Sequence, residues 1–387
     1  MRRTNVPTRG FTLVELMVAI ALGLALTLAL TTVMIRHDAG KRTLVSSNDL
    51  SLTSSYVALS MDRELRSAGS GFMQDWRNTF GCVLRAARGG VQILPRTAAF
   101  PAPFDAVPQQ VRLAPLVIHA GAGANGSDVL AVATGTSGLG ETPFRVQPSS
   151  ATGGDLRVNS TIGLRGDDLV LLSEPGVGCV VQQVTNPFAG GANQLLTFGG
   201  TYAKSEIDGV QLQSFGVAET ASVMVMGNAT TNPPIVRLIG VDDSATLVSL
   251  DMLQLDGTDT VMPVVDGVAD LRALYGVDTD NDGRIDNWVA PTAANFTAAD
   301  LTAGTLVAND RLLTIMAVRV GLVLRSDRIE RDEVAPASVT LFSDLAGLEY
   351  THAIDSSLRH QRFRTVEFTV PLRNVMLTAR AALAAAP

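Results

Sequence analysis

The 387-residue chain has only two cysteines, four histidines and 5 % aromatic residues, and only 17 % of its residues are charged. With so little aromatic surface, a folded body must build its core from valine, leucine and alanine. Basic residues are not in excess: 30 Lys and Arg stand against 37 Asp and Glu, for a net charge of −7. That balance argues against broad nucleic-acid binding, which needs a basic face to neutralise phosphates. The histidines (His37, His119, His352, His360) are scattered, with no metal-binding or nucleophile-activating spacing. Gly135-Thr136-Ser137-Gly138 is not a nucleophile elbow. Gly121-Ala122-Gly123-Ala124-Asn125-Gly126 fits the GxGxxG spacing, but a strand-like segment follows it instead of a helix, so it reads as a hairpin loop. These absences point away from an enzyme. No internal repeat is visible.

What the chain does have is concentrated at Arg9-Gly10-Phe11-Thr12-Leu13-Val14-Glu15-Leu16. A short basic leader ends in glycine, and an apolar run of 25 residues, Phe11 to Ile35, follows it. That length crosses a bilayer as one helix. A secretory signal peptide would place its cut after the apolar core; here the candidate cut, at Gly10, lies before it and leaves the span on the mature protein. Arg2, Arg3 and Arg9 predict a cytoplasmic N-terminus and an exported body. Glu15 is the one acid in the run. An intramembrane carboxylate is costly, which makes it a functional candidate.

Gly10-Phe11-Thr12-Leu13-Val14-Glu15 resembles the prepilin peptidase site of type IV pilins and type II secretion pseudopilins, and departs from that pattern nowhere. The resemblance implies cleavage after Gly10, N-methylation of Phe11, and storage in the inner membrane before assembly. In a filament of side-by-side helices, the Phe11 amine freed by cleavage would be neutralised by Glu15 of the same subunit or a neighbour, which favours correct axial register.

From Arg36 to Ser67 there is no proline and only one glycine, Gly40. Val45, Leu52, Tyr56 and Leu59 recur at helical spacing and predict the face that packs on a soluble body. Gly69 is the expected stop. The whole helix, Phe11 to Ala68, would measure about 87 Å; the alternative is two helices broken near His37–Gly40. The fold expectation is α+β and type IV pilin-like: a leader over 1–10, a membrane half over 11–35, an amphipathic half over 36–69, and a strand-rich body over 70–387.

In the body, short apolar runs between Gly, Asn, Asp and Pro predict strands at Leu116–His119, Asp128–Thr134, Asp168–Ser173, Cys179–Val184, Gln194–Phe198, Ser222–Met226, Ile235–Val241, Leu247–Leu253, Leu271–Tyr275, Thr314–Leu324, Ser338–Phe342 and Thr365–Leu372. Met316, Val318, Val320, Leu322 and Leu324 alternate, as in a central strand beneath the long helix. A short helix is expected near Phe296–Leu301, with Thr297 as N-cap. The loops 135–140 and 186–193 read as surface. Cys82 and Cys179 fall on the exported side, where a disulfide is favoured over two free thiols.

A second chemical signal is Asp278-Thr279-Asp280-Asn281-Asp282-Gly283-Arg284-Ile285-Asp286. It resembles the first nine positions of an EF-hand-like Ca²⁺ loop, with Asp278, Asp280, Asp282, Asp286 and the Arg284 carbonyl as ligands. Position twelve is Val289 and not a glutamate, so a missing ligand would come from water or another segment. The competing reading is a polar hairpin turn between Leu271–Tyr275 and Ile285–Trp288.

Gly126-Ser127-Asp128-Val129-Leu130, Tyr275–Asp280, Val318–Ser326 and Leu372-Arg373-Asn374 look like the PilW family of minor pilins. The resemblance implies a subunit of a tip complex that primes pilus assembly. Its partners would be other minor pilins, the major pilin and a large tip adhesin, and its outputs twitching motility, adhesion or DNA uptake. Location would shift from the inner membrane, with the body periplasmic, to the pilus tip. Two alternatives stand beside it: a J-type minor pseudopilin of type II secretion, and a tip-located binding module using exposed aromatics such as Trp76 or Trp288.

Overall fold

The computed structural model describes residues 10, 12–137, 142–188, 190, 194–256 and 258–384. Half of loops 135–140 and 186–193 is described; residues 138–140, 189 and 191–193 lie outside that set. One helix runs from Leu13 to Arg66, unbroken through His37–Gly40, so the two-helix alternative does not hold. It is slightly shorter than the sequence suggested, because Thr12 caps its start and Ser67 its end. Along the apolar half, threonine hydroxyls donate back to helix carbonyls: Thr27 to Gly23 (3.0 Å), Thr31 to Thr27 (2.9 Å) and Thr32 to Leu28 (2.7 Å). Their polar atoms are thus satisfied without water, as a bilayer requires.

The face that packs on the body is not the expected one. Leu52, Tyr56 and Leu59 are more than half exposed and Val45 is also solvent-facing. The buried stripe is Leu50, Val57, Met61, Leu65 and Ala68, with Ser46 and Ser54 on the same side. The small serines let the helix approach closely, and the Ser54 hydroxyl donates to the Ser51 carbonyl at 2.8 Å. Both faces carry apolar residues at helical spacing, so periodicity alone does not choose between them.

The helix end is closed by distant parts of the chain. Gly69, at φ +84°, turns away, and its N–H donates to the Ala133 carbonyl at 2.8 Å. The Thr134 hydroxyl donates to the Ser67 carbonyl (2.6 Å), and Asn374 Nδ2 donates to the carbonyls of Ser67 (3.1 Å) and Ala68 (3.0 Å). These are acceptors that a helix terminus leaves unpaired. Replacing Asn374 by alanine is expected to cost about 1–2 kcal/mol, read as a lower denaturant midpoint at unchanged m-value. The helix flank is held by the Arg237–Glu64 ion pair (2.8 Å) and by Arg364 donating to the Ser51 hydroxyl (2.8 Å).

The body contains three main sheets. A four-stranded antiparallel sheet orders Asn287–Val289, Val268–Val277, Ile315–Arg325 and Phe363–Pro371, and the last two strands lie against the long helix. A five-stranded antiparallel sheet orders Met262–Asp266, Thr246–Asp251, Ile235–Val241, Val129–Thr134 and Leu116–His119. A six-stranded sheet orders Val91–Leu94, Leu84–Arg88, Gly178–Gln183, Asp168–Glu174, Ser222–Asn228 and Phe144–Arg145; its Leu84–Arg88 and Gly178–Gln183 strands run parallel. A C-terminal helix, Arg373–Ala384, packs beside the helix Leu306–Thr314.

Strand period two distributes the core. Met316, Val318, Val320, Leu322 and Leu324 enter the main core with the long helix, while Val323 points to a smaller cluster with Leu274, Leu341 and Phe342. Leu169 and Leu171 join the main core, whereas Val170 and Leu172 join a second one with Val180, Phe215 and Val223. The strand Asp168–Glu174 is therefore buried on both faces. A disulfide joins Cys82 to Cys179 where the parallel strands meet, with Cα atoms 5.8 Å apart.

Candidate functional site

The first candidate is the start of the long helix. Thr12 and Glu15 form a reciprocal capping box: the Thr12 N–H (3.1 Å) and hydroxyl (3.0 Å) donate to Glu15 Oε2, and the Glu15 N–H donates to Thr12 Oγ1 (3.2 Å). Two otherwise unpaired N–H groups are thereby satisfied, and the acid sits in the first turn, where the helix dipole favours it. Gly10 is exposed; Phe11 lies outside the described residues. Behind the cap, Leu13–Ile35 has mean hydropathy 2.4 and none of it is buried by the body. Among the described residues it is the one helix long and apolar enough to span a membrane.

The second candidate is the turn between Val268–Val277 and Asn287–Val289. Asp278, Asp280 and Asp286 each bring a carboxylate oxygen within 4.8 Å of the others. Asp282 stands outside that group; its Oδ1 accepts the Arg284 N–H at 2.7 Å. The Thr279 hydroxyl (2.6 Å) and N–H (2.7 Å) donate to Asp286 Oδ2 and hold that carboxyl below its ordinary pKa. Val289 pairs with Tyr275 in the sheet. The segment is thus a hairpin turn that gathers three acids.

Residues of the sequence motifs hold the body together. Asp128 is buried and accepts N–H groups from Gly121 (2.9 Å) and Ala273 (3.0 Å), tying the five-stranded sheet to the four-stranded one. The Tyr275 hydroxyl, fully buried, accepts the Ile118 N–H at 2.6 Å, and its burial pushes its pKa up. His352 Nδ1 meets Asp270 Oδ2 at 2.8 Å, and the Tyr350 hydroxyl donates to the same oxygen at 2.9 Å, anchoring the hairpin Ser338–Ala353. Gly121–Gly126 lies between the antiparallel strands Leu116–His119 and Val129–Thr134. Trp76 is buried beside Phe80, and Trp288 lies half-buried on Gly276 near the Arg319 guanidinium.

Two stretches match known protein families. Residues 7–31 match the prokaryotic N-terminal methylation motif. Residues 238–374 match type IV pilus-assembly protein W, a stretch that takes in Tyr275–Asp280, Val318–Ser326 and Leu372-Arg373-Asn374. No curated protein and no solved structure matches the chain.

Proposed function

We propose that this chain, a type IV pilus-related minor pilin by its two family matches, primes or caps pilus assembly as part of a tip complex. One observation carries the reading: a single 54-residue helix joins a methylation-motif span left bare by its own body to a second half stitched into a body whose residues 238–374 match the pilus-assembly family. Such a rod is built to exchange lipid for neighbouring rods. Prepilin peptidase cuts after Gly10, the subunit waits in the inner membrane with its body in the periplasm, and it then joins other minor pilins, the major pilin and a tip adhesin. The exposed Leu52, Tyr56 and Leu59 supply lateral contact to those neighbours. Motility, adhesion or DNA uptake are downstream of assembly, and the body has a structural rather than a catalytic part. The match to assembly protein W favours the pilus over type II secretion. Deleting the gene with the export machinery intact is expected to leave few surface pili, restored by the intact gene in trans; wild-type numbers of pili after deletion would refute the priming role.

A further inference from the structure

The turn Asp278–Asp286 holds a buried acid with nothing to balance it. Asp278 has no solvent-exposed surface. Its Oδ2 accepts the Gly283 N–H at 2.8 Å, while its Oδ1 has no hydrogen-bond partner. No ion pair reaches it among the described residues. A buried carboxylate oxygen left unpaired is strongly unfavourable, and natural structures balance such atoms with a proton, a cationic side chain or a metal ion.

The surroundings narrow the choice. Asp280 and Asp286, both exposed, converge on Asp278 within 4.8 Å, so the buried acid faces two further carboxylates. The nearby arginines do not pair with this group: Arg284 is 85 % exposed and reaches only Asp282, at 4.0 Å, while Arg380 rests against Gly283. The carboxylates are held in place through one oxygen each. Thr279 fixes Asp286 Oδ2, the Asp282 N–H (3.1 Å) fixes Asp280 Oδ1, and Gly283 fixes Asp278 Oδ2. The Asp286 N–H closes the turn on the Val277 carbonyl at 2.9 Å, and Asn281 and Gly283 take left-handed φ values of +62° and +87°. The backbone is thus bent so that three acids share one small volume.

We propose that this turn binds a divalent cation, Ca²⁺, with Asp278, Asp280 and Asp286 as its protein ligands and Asp278 Oδ1 as the buried one. An all-oxygen, anionic donor set without Cys or His suits a hard cation and disfavours zinc or copper. Calcium tolerates an incomplete protein shell completed by water more readily than magnesium tolerates departure from an octahedron. With Asp282 turned to Arg284 and Val289 engaged in the sheet, the affinity falls in the range of extracellular modules, about 10⁻⁴–10⁻³ M. The ion fixes the turn against the groove lined by Trp76, Thr279, Asn281, Arg311 and Leu383, between the helices Leu306–Thr314 and Arg373–Ala384 and the segment following the long helix. This assignment does not depend on the pilus reading and stands or falls separately from it.

The test uses the full chain in detergent micelles, stripped with chelator and titrated with calcium chloride. Calorimetry is expected to give one ion per chain, and about 10 mM calcium to raise Tm by roughly 3–8 °C, with a smaller rise in equal magnesium. Asp280→Asn, an exposed change, is expected to keep the calcium-free Tm while weakening calcium binding at least about tenfold; Asp278→Asn is expected to abolish the calcium-dependent rise. A Tm and heat trace unmoved by calcium in the wild-type chain would overturn the proposal. So would wild-type binding in the Asp280→Asn, Asp286→Asn double variant.

Discussion

Glu15→Ala is expected to leave the subunit in the inner membrane at normal level and to reduce its recovery in sheared pili at least about a hundredfold. In the isolated subunit the Glu15 carboxylate is occupied by Thr12, which donates to it from both its N–H and its hydroxyl. In a filament the same carboxylate would meet a cationic amine in surroundings that contain no water, where an unpaired partner is severely penalised. Alanine removes both interactions, so a second variant separates them. Glutamine at position 15 still accepts from Thr12, as capping boxes allow, but carries no charge. If charge pairing governs register, Glu15→Gln fails to assemble as Glu15→Ala does. If helix capping governs it, Glu15→Gln assembles normally. Quantitative blotting of sheared pili against inner-membrane fractions reads the difference, and normal recovery of Glu15→Ala would end the pairing hypothesis.

The second large effect concerns the Cys82–Cys179 disulfide. It spans 97 residues of sequence, and closing a loop of that length stabilises a fold by about 4–5 kcal/mol in the chain-entropy picture. That range is a sizeable part of a domain's total stability. The bond sits at the junction of the only parallel strand pair in the six-stranded sheet among the described residues, a pairing with no short connection to enforce it. Cys82→Ser with Cys179→Ser is expected to lower Tm by on the order of 10 °C or more, and reductant is expected to move the wild-type midpoint toward that of the variant. Equal midpoints for the oxidised wild type and the double variant would show that the sheet does not need the link.

Much of this architecture was legible in the residues. All twelve expected strands contain strands, because runs such as Ile235–Val241 combine β-branched residues with turn signals at both ends. The alternation from Met316 to Leu324 identified both the central strand and its inward face. Thr297 caps its short helix as its type suggests, accepting the Asp300 N–H. Other elements carried weak local signals. Leu84–Arg88 and Tyr350–Ala353 are short and partly polar; the first pairs with Gly178–Gln183 far along the chain, the second with Ser338–Leu341 in a local hairpin. Arg373–Ala384 is not among the expected elements; it is held as a helix with Val375 and Ala379 buried. The long helix shows the sharpest limit. Its apolar residues occupy two faces, and serines fall on both, Ser46 and Ser54 on the covered one and Ser47 and Ser55 on the exposed one. At the acidic turn, spacing supplied five candidate ligands, whereas geometry gathers three of those carboxylates and turns Asp282 aside.

The carbonyls of Ser67 and Ala68 are met by Asn374, separated from them by 307 and 306 residues. A chain lacking the helix Arg373–Ala384 would retain the helix Leu13–Arg66, yet that rod would fray where it joins the body. Both partners of this long-range contact must therefore be folded before the joint is closed. In the proposed filament, a subunit without that contact would present its neighbours with a loose shaft, so assembly would discriminate against it.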